Sequence, residues 1–123
     1  MITIGDQDFD RAVQAAYDSI PAEFLEFLQN IVIEVRDKPD RKLLEAYDET
    51  DDLLGLFDGV PLEDQAEEHA PLLPNRIYLF RDNLCAMCET REELIDEIRI
   101  TLLHEIGHHF GLDEDRLEEL GYE

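Results

Sequence analysis

Thr90-Arg91-Glu92-Glu93 opens, and His104-Glu105-Ile106-Gly107-His108-His109-Phe110-Gly111 closes, the stretch on which the fold turns. Its pattern predicts one long helix. Thr90 is an N-cap residue, and Glu93 at the third helical position completes a capping box. Gly111 stands where a left-handed terminating residue is wanted, so the helix should end at about His109 or Phe110. By the helical step of about 100° per residue, Ile95, Ile98, Leu102 and Ile106 form one apolar stripe, expected to pack on a sheet. His104 and His108 fall roughly opposite, on the side of Glu97 and Thr101. A histidine pair turned away from the packing stripe is poorly explained as core.

Upstream the periodicities change. Phe9, Ala12, Val13, Ala16, Tyr17 and Ile20 make an amphipathic helical stripe, which Asp6 or Asp8 is placed to cap and Pro21 to stop. Pro21 can open a second, short helix carrying Phe24, Leu25 and Leu28. Ile31-Val32-Ile33-Glu34-Val35 is β-branched and nearly all apolar, which predicts a buried strand. Lys42 to Tyr47 suit a short helix. Leu53-Leu54-Gly55-Leu56-Phe57 reads as a second strand, closed by Asp58-Gly59 and Pro61. Residues 62–75 are acidic and broken by Pro71 and Pro74, hence a loop, with His69 a solvated residue in it. Ile77-Tyr78-Leu79-Phe80 is a third strand, and its flanking Arg76 and Arg81 suggest an edge position. Beyond Gly111, Asp113 is placed to cap a last helix carrying Leu117 and Leu120. Helices, then strands, then a long helix give an α+β fold with a small mixed sheet, in one domain over residues 1–123.

The chemistry sits in His104-Glu105-Ile106-Gly107-His108. Residues four apart on a helix differ by about 40° around the axis, so both imidazoles leave one side, one turn apart. Two neutral nitrogens so placed can hold a single ion at the distance of about 2 Å that zinc requires. Glu105 is displaced by about 100°, too far round for a third ligand and well placed to touch a water held by the metal. Gly107 keeps a side chain from crowding the cleft or the strand behind. Asp113 and Glu114 bring a carboxylate back toward the pair where a third ligand is missing.

A rival metal reading uses Cys85-Ala86-Met87-Cys88. With His104 and His108 the spacing is that of a closed structural Cys2His2 site. The helix begun at Thr90 argues against it, because it separates the two pairs by about 20 Å along its axis. Two half-buried thiols in a turn are the plainer reading. A redox role for the CxxC has nothing around it to resemble a thioredoxin unit. By angle, His109 falls on the apolar side of the helix, as a hydrogen-bonded core histidine.

Charge narrows the partners. Ten Lys and Arg stand against 32 Asp and Glu, a formal charge of -22 in 123 residues, of which 44% are apolar. Such a surface repels phosphate backbones and anionic lipid, so neither nucleic acid nor membrane is expected as a partner. A peptide or protein substrate, with basic peptides the class that charge attracts, is the expected partner. The first residues have neither a basic flank nor an apolar run, and no stretch is long enough to span a bilayer, so a cytoplasmic protein is expected. Nothing in the sequence speaks to its oligomeric state.

His104-Glu105-Ile106-Gly107-His108-His109-Phe110-Gly111-Leu112-Asp113-Glu114 resembles the signature of bacterial zincin-like metallopeptidases with a minimal matrix-metalloprotease-like domain. Leu53 to Pro61 resembles that family's strand-and-turn segment, and Arg76 to Arg81 its edge strand. The resemblance runs from about Ile31 onward and is weakest between Pro39 and Asp52. It implies a compact α+β zincin core, a Zn2+ cofactor and peptide-bond hydrolysis. Two departures stand out: Glu114 occupies the place where metzincins carry His or Asp, and Met87 lies upstream of the motif rather than in a methionine turn after it.

The expected site therefore has His104, His108 and Glu114 as metal ligands and Glu105 as general base. Glu114 is preferred to Asp113 because it holds the related pattern's ligand position and because Asp113 is the better N-cap. His109 is the next candidate. A non-catalytic, acidic interaction module that keeps the fold, with or without a structural zinc, is the alternative.

Overall fold

A computed structural model describes residues 1–59, 75–112 and 114–119, without the side chains of Glu114 and Arg116. In chain order the elements are α1 (Asp6–Asp18), α2 (Ala22–Leu28), β1 (Ile31–Arg36), α3 (Arg41–Tyr47), β2 (Gly55–Asp58), β3 (Asn75–Phe80), α4 (Arg81–Met87), α5 (Arg91–Phe110) and α6 (Glu114–Glu119). The loop expected over residues 62–75, with His69, lies almost wholly outside the described residues.

The sheet runs β1-β3-β2, with β3 parallel to β1 and antiparallel to β2. This corrects two expectations. β3 is the central strand, not an edge: Ile77, Tyr78, Leu79 and Phe80 are all buried. Strand alternation sends Ile77 and Leu79 into the main core, and Tyr78 and Phe80 into a smaller cluster with Leu56, Leu43 and Leu53 on the opposite face. The flanking arginines misled because neighbouring acids neutralise them. Arg76 pairs with Glu34 at 2.7 Å and Arg81 with Asp37 at 2.8 Å, while Asp6 also meets Arg81. β1, in turn, is an edge strand, with Ile31, Ile33 and Val35 only partly buried and Val32 exposed.

α5 is the spine. Leu94, Ile98, Leu102, Leu103 and Ile106 are fully buried, and the helix lies along α1 while also meeting β2, β3, α2, α4 and α6. Its apolar face is thus wider than the expected stripe, because helices cover it as well as the sheet; Ile95 is only partly buried. The Thr90 hydroxyl accepts from the Glu93 N–H at 3.1 Å, and Gly111 ends the helix at φ +62°. That φ is reached at little cost by glycine.

Three local expectations need correction. α1 starts from Gly5 with no side-chain cap, so Asp6 and Asp8 lie inside its first turn, where carboxylates favour the helix dipole. Cys85 and Cys88 do not sit half-buried in a turn. Cys85 is in α4, Cys88 ends it, and both are buried free thiols in the main core. Finally, an alanine methyl at Gly107 would lie 2.9 Å from Leu117, so its neighbour is α6 rather than the cleft or a strand. No helix among the described residues is long and apolar enough to cross a membrane.

Candidate metal centre

The last two turns of α5 project His104 and His108 from its exposed side, with ring centroids 4.4 Å apart and planes inclined by 34°. Both rings line a cleft of about 560 Å³ between α5 and the segment that leads into β2. Burial, reinforced by the neighbouring His108, holds the His104 imidazole below the usual histidine range. That favours the neutral, metal-ready form.

What brings β2 to this helix is Gly55. A methyl group there would lie 2.5 Å from Thr101 Cγ2 and 3.0 Å from the Tyr78 carbonyl oxygen. Glycine lets the strand lie directly on the helix, and Thr101 is buried beneath it. The register then decides which peptide groups face the cleft. Phe80 N–H donates to the Leu54 carbonyl at 3.0 Å, so by antiparallel alternation the peptide groups of Gly55 and Phe57 turn outward. Phe57 N–H donates to Glu105 Oε1 at 3.2 Å.

Glu105 is consequently held from two sides, by its own helix and by the edge of β2. Burial pushes its carboxyl above the usual carboxylate range, opposed by the Phe57 N–H and by His108, while Glu49 adds to the rise. A carboxylate raised in this way and fixed in direction is suited to taking up and returning a proton. Phe57 and Gly55 were missed as site residues in the sequence. The glycine inside an otherwise apolar strand was the available signal, since it marks a close backbone approach.

The other candidates fall differently. His109 is not a core histidine: it is exposed, stacks on Phe57 at 3.8 Å and meets Phe110 edge-on, outside the cleft lining. Cys85 and Cys88 pack near the start of α5, at the other end from the histidines. Asp113 and the side chain of Glu114 lie outside the described residues, although Glu114 does open α6. Among the described residues no group of three or more His, Cys, Asp or Glu converges on one point. The pair offers two adjacent imidazole rings on one open face, which fits two positions of a zinc site. A third position needs a further donor.

The model of the zincin-like metallopeptidase family matches residues 28–122. The chain belongs to that family. The match takes in every strand, the cleft and the whole of α5. Among solved structures, a conserved hypothetical protein from Thermus thermophilus is similar, with 21% identity and a TM-score of 0.56 over 87% of this chain and 94% of that one. This similarity supports the α+β zincin-like fold. No curated protein matches the chain.

Proposed function

We propose that this zincin-like protein is a zinc-dependent peptidase whose centre is His104 and His108, with Glu105 as general base. One observation carries the reading: two imidazoles share the open face of α5, and the carboxylate between them in sequence is tied to the edge of β2. A helix that served only for packing has no need of either feature. Membership of a metallopeptidase family supports the same conclusion. The Glu114 carboxylate is proposed as third ligand, being the first residue of α6 and two residues from Leu112, whose N–H closes the turn onto the Gly107 carbonyl at 3.1 Å.

When bound, zinc supplies Lewis acidity that brings the pKa of a coordinated water toward neutrality. The chain's own residues do the rest. Glu105 takes a proton from the attacking water as the peptide carbonyl is hydrated, then delivers it to the leaving amine nitrogen. Its bond to Phe57 N–H keeps the carboxylate from swinging back along the helix. With the Phe57 N–H taken by Glu105, the outward peptide group of Gly55 and the Phe57 carbonyl offer an edge on which an extended substrate can lie. β3, whose flanking arginines had suggested an edge, is closed on both sides.

The test is metal analysis of the full chain together with hydrolysis of a mixed peptide pool, read by mass spectrometry. Wild type should bind one zinc and cleave; Glu105→Gln should keep the zinc while turnover falls by about 10²-fold or more. Turnover unchanged in the variant would rule out the role of Glu105. Zinc without turnover on any peptide would favour the interaction module.

A further inference from the structure

The cleft beside the histidine pair has walls of one sign. Besides Glu105 it is lined by Glu49 and Asp52, on the approach to β2, and by Glu97 on α5. Among the described residues no Lys or Arg lines it. Elsewhere several arginines pair with specific acids: Arg36 and Arg76 with Glu34, Arg81 with Asp37, Arg99 with Asp96. Among the described residues, none of Glu49, Asp52 and Glu97 has an ion-pair partner of that kind. Asp52 only accepts a hydrogen bond from Thr50.

The zinc expected at the histidines does not cancel this. Four carboxylates exceed the charge of one dication, and a carboxylate third ligand would widen the excess. The space between the acids is also the wrong kind for a small hydrated ion. Leu53, Leu54 and Ile100 line it as well, so apolar side chains and carboxylates share its walls. A long alkyl stem with a cationic head matches both features, the stem along the leucines and the head among the carboxylates. Lysine and arginine are the amino acids with that shape.

We propose that this cleft selects peptides presenting a Lys or Arg side chain beside the addressed bond, through Glu49, Asp52 and Glu97. The assignment of a bond to be cut rests on the peptidase reading above; the preference in binding rests on the cleft alone. Each solvent-facing pair contributes modestly, but three in a concave site with focused field lines act together. A preference of about ten-fold over an uncharged side chain with the same four-carbon stem is expected.

The test uses the zinc-loaded full chain carrying Glu105→Gln, so that bound peptide persists. Two labelled decapeptides differ only in a central lysine or norleucine, and binding is read by fluorescence anisotropy. The lysine peptide should bind about ten-fold tighter, with the gap narrowing as salt is raised. Adding Glu49→Gln, Asp52→Asn and Glu97→Gln should bring the two within about two-fold. A control adding Asp10→Asn, Glu26→Gln and Glu92→Gln removes the same charge at residues that do not line the cleft and should keep the preference. Equal binding of the two peptides overturns the proposal, as does loss of the preference in the control, which would mean net charge alone. If the triple cleft variant does not fold, Glu97→Gln alone must reduce the preference. Turnover of both peptides by wild type is measured alongside. Cleavage of both without a lysine preference sinks this proposal and leaves the peptidase; preference without cleavage does the reverse.

Discussion

The two ends of α5 each carry a pair of side chains that metals favour, and they are opposites in every physical respect. At the start, Cys85 and Cys88 are buried, and burial pushes the Cys88 thiol up to about 11. Toward the end, His104 and His108 stand exposed on an open cleft, with His104 shifted toward its neutral form. Protonated thiols in a core neither bind metal nor attack; neutral imidazoles facing solvent can bind. Spacing in sequence therefore does not decide which donors cooperate. A rigid helix of some 20 Å stands between the pairs, and burial decides which of them is available.

The strongest consequence of this contrast concerns the third ligand. Glu114→Ala should weaken zinc binding by about 10-fold or more, as loss of a ligand does. Asp113→Ala should keep the zinc and cost about 1 kcal/mol through loss of a helix cap. Zinc titration and thermal melts of both variants check this, and the reverse pattern would exchange the two assignments. Retention of zinc in both would move the third ligand elsewhere, with His109 the next residue to change.

Next comes the contact that aims the histidine end at β2. Gly55→Ala drives a methyl into Thr101 Cγ2 and should destabilise by about 1–3 kcal/mol in chemical denaturation. Trimming the obstacle with Thr101→Ser should recover part of that loss. A Gly55→Ala protein as stable as wild type would mean that β2 does not lie this close to α5.

The weakest effect belongs to the thiol end. The folded state holds the Cys88 proton more tightly than an unfolded thiol, whose pKa is about 8.5. Its contribution is therefore complete below that value and is lost as pH rises toward about 11. Denaturation curves between pH 8 and pH 11 should show wild type losing on the order of 2 kcal/mol more than Cys88→Ala. Parallel losses in the two proteins would place Cys88 in a more solvated setting.

How much of this could be read in advance depended on whether the signal was local. The bounds of α5 were legible because Thr90, Glu93 and Gly111 act within one turn of themselves. The two histidines shared a face by helical arithmetic alone. Strand order was not legible, since an arginine flank looks alike at an edge and beside a strand that supplies Glu34 or Asp37. α4 went unseen because Arg81–Met87 follows β3 with no capping residue or break between them. The wall of the cleft was hidden for a similar reason: Glu49 and Asp52 reach it only through the fold, although Gly55 marked where strand and helix touch.

The proposed function requires metal at the histidine end of α5 and none at the cysteine end. Zinc stoichiometry of purified protein, after dialysis against a weak chelator, decides this in two double variants. Cys85→Ser with Cys88→Ser should retain one zinc per chain, while His104→Ala with His108→Ala should retain none and still fold. Zinc lost from the cysteine variant in a folded protein, or kept by the histidine variant, would overturn the assignment.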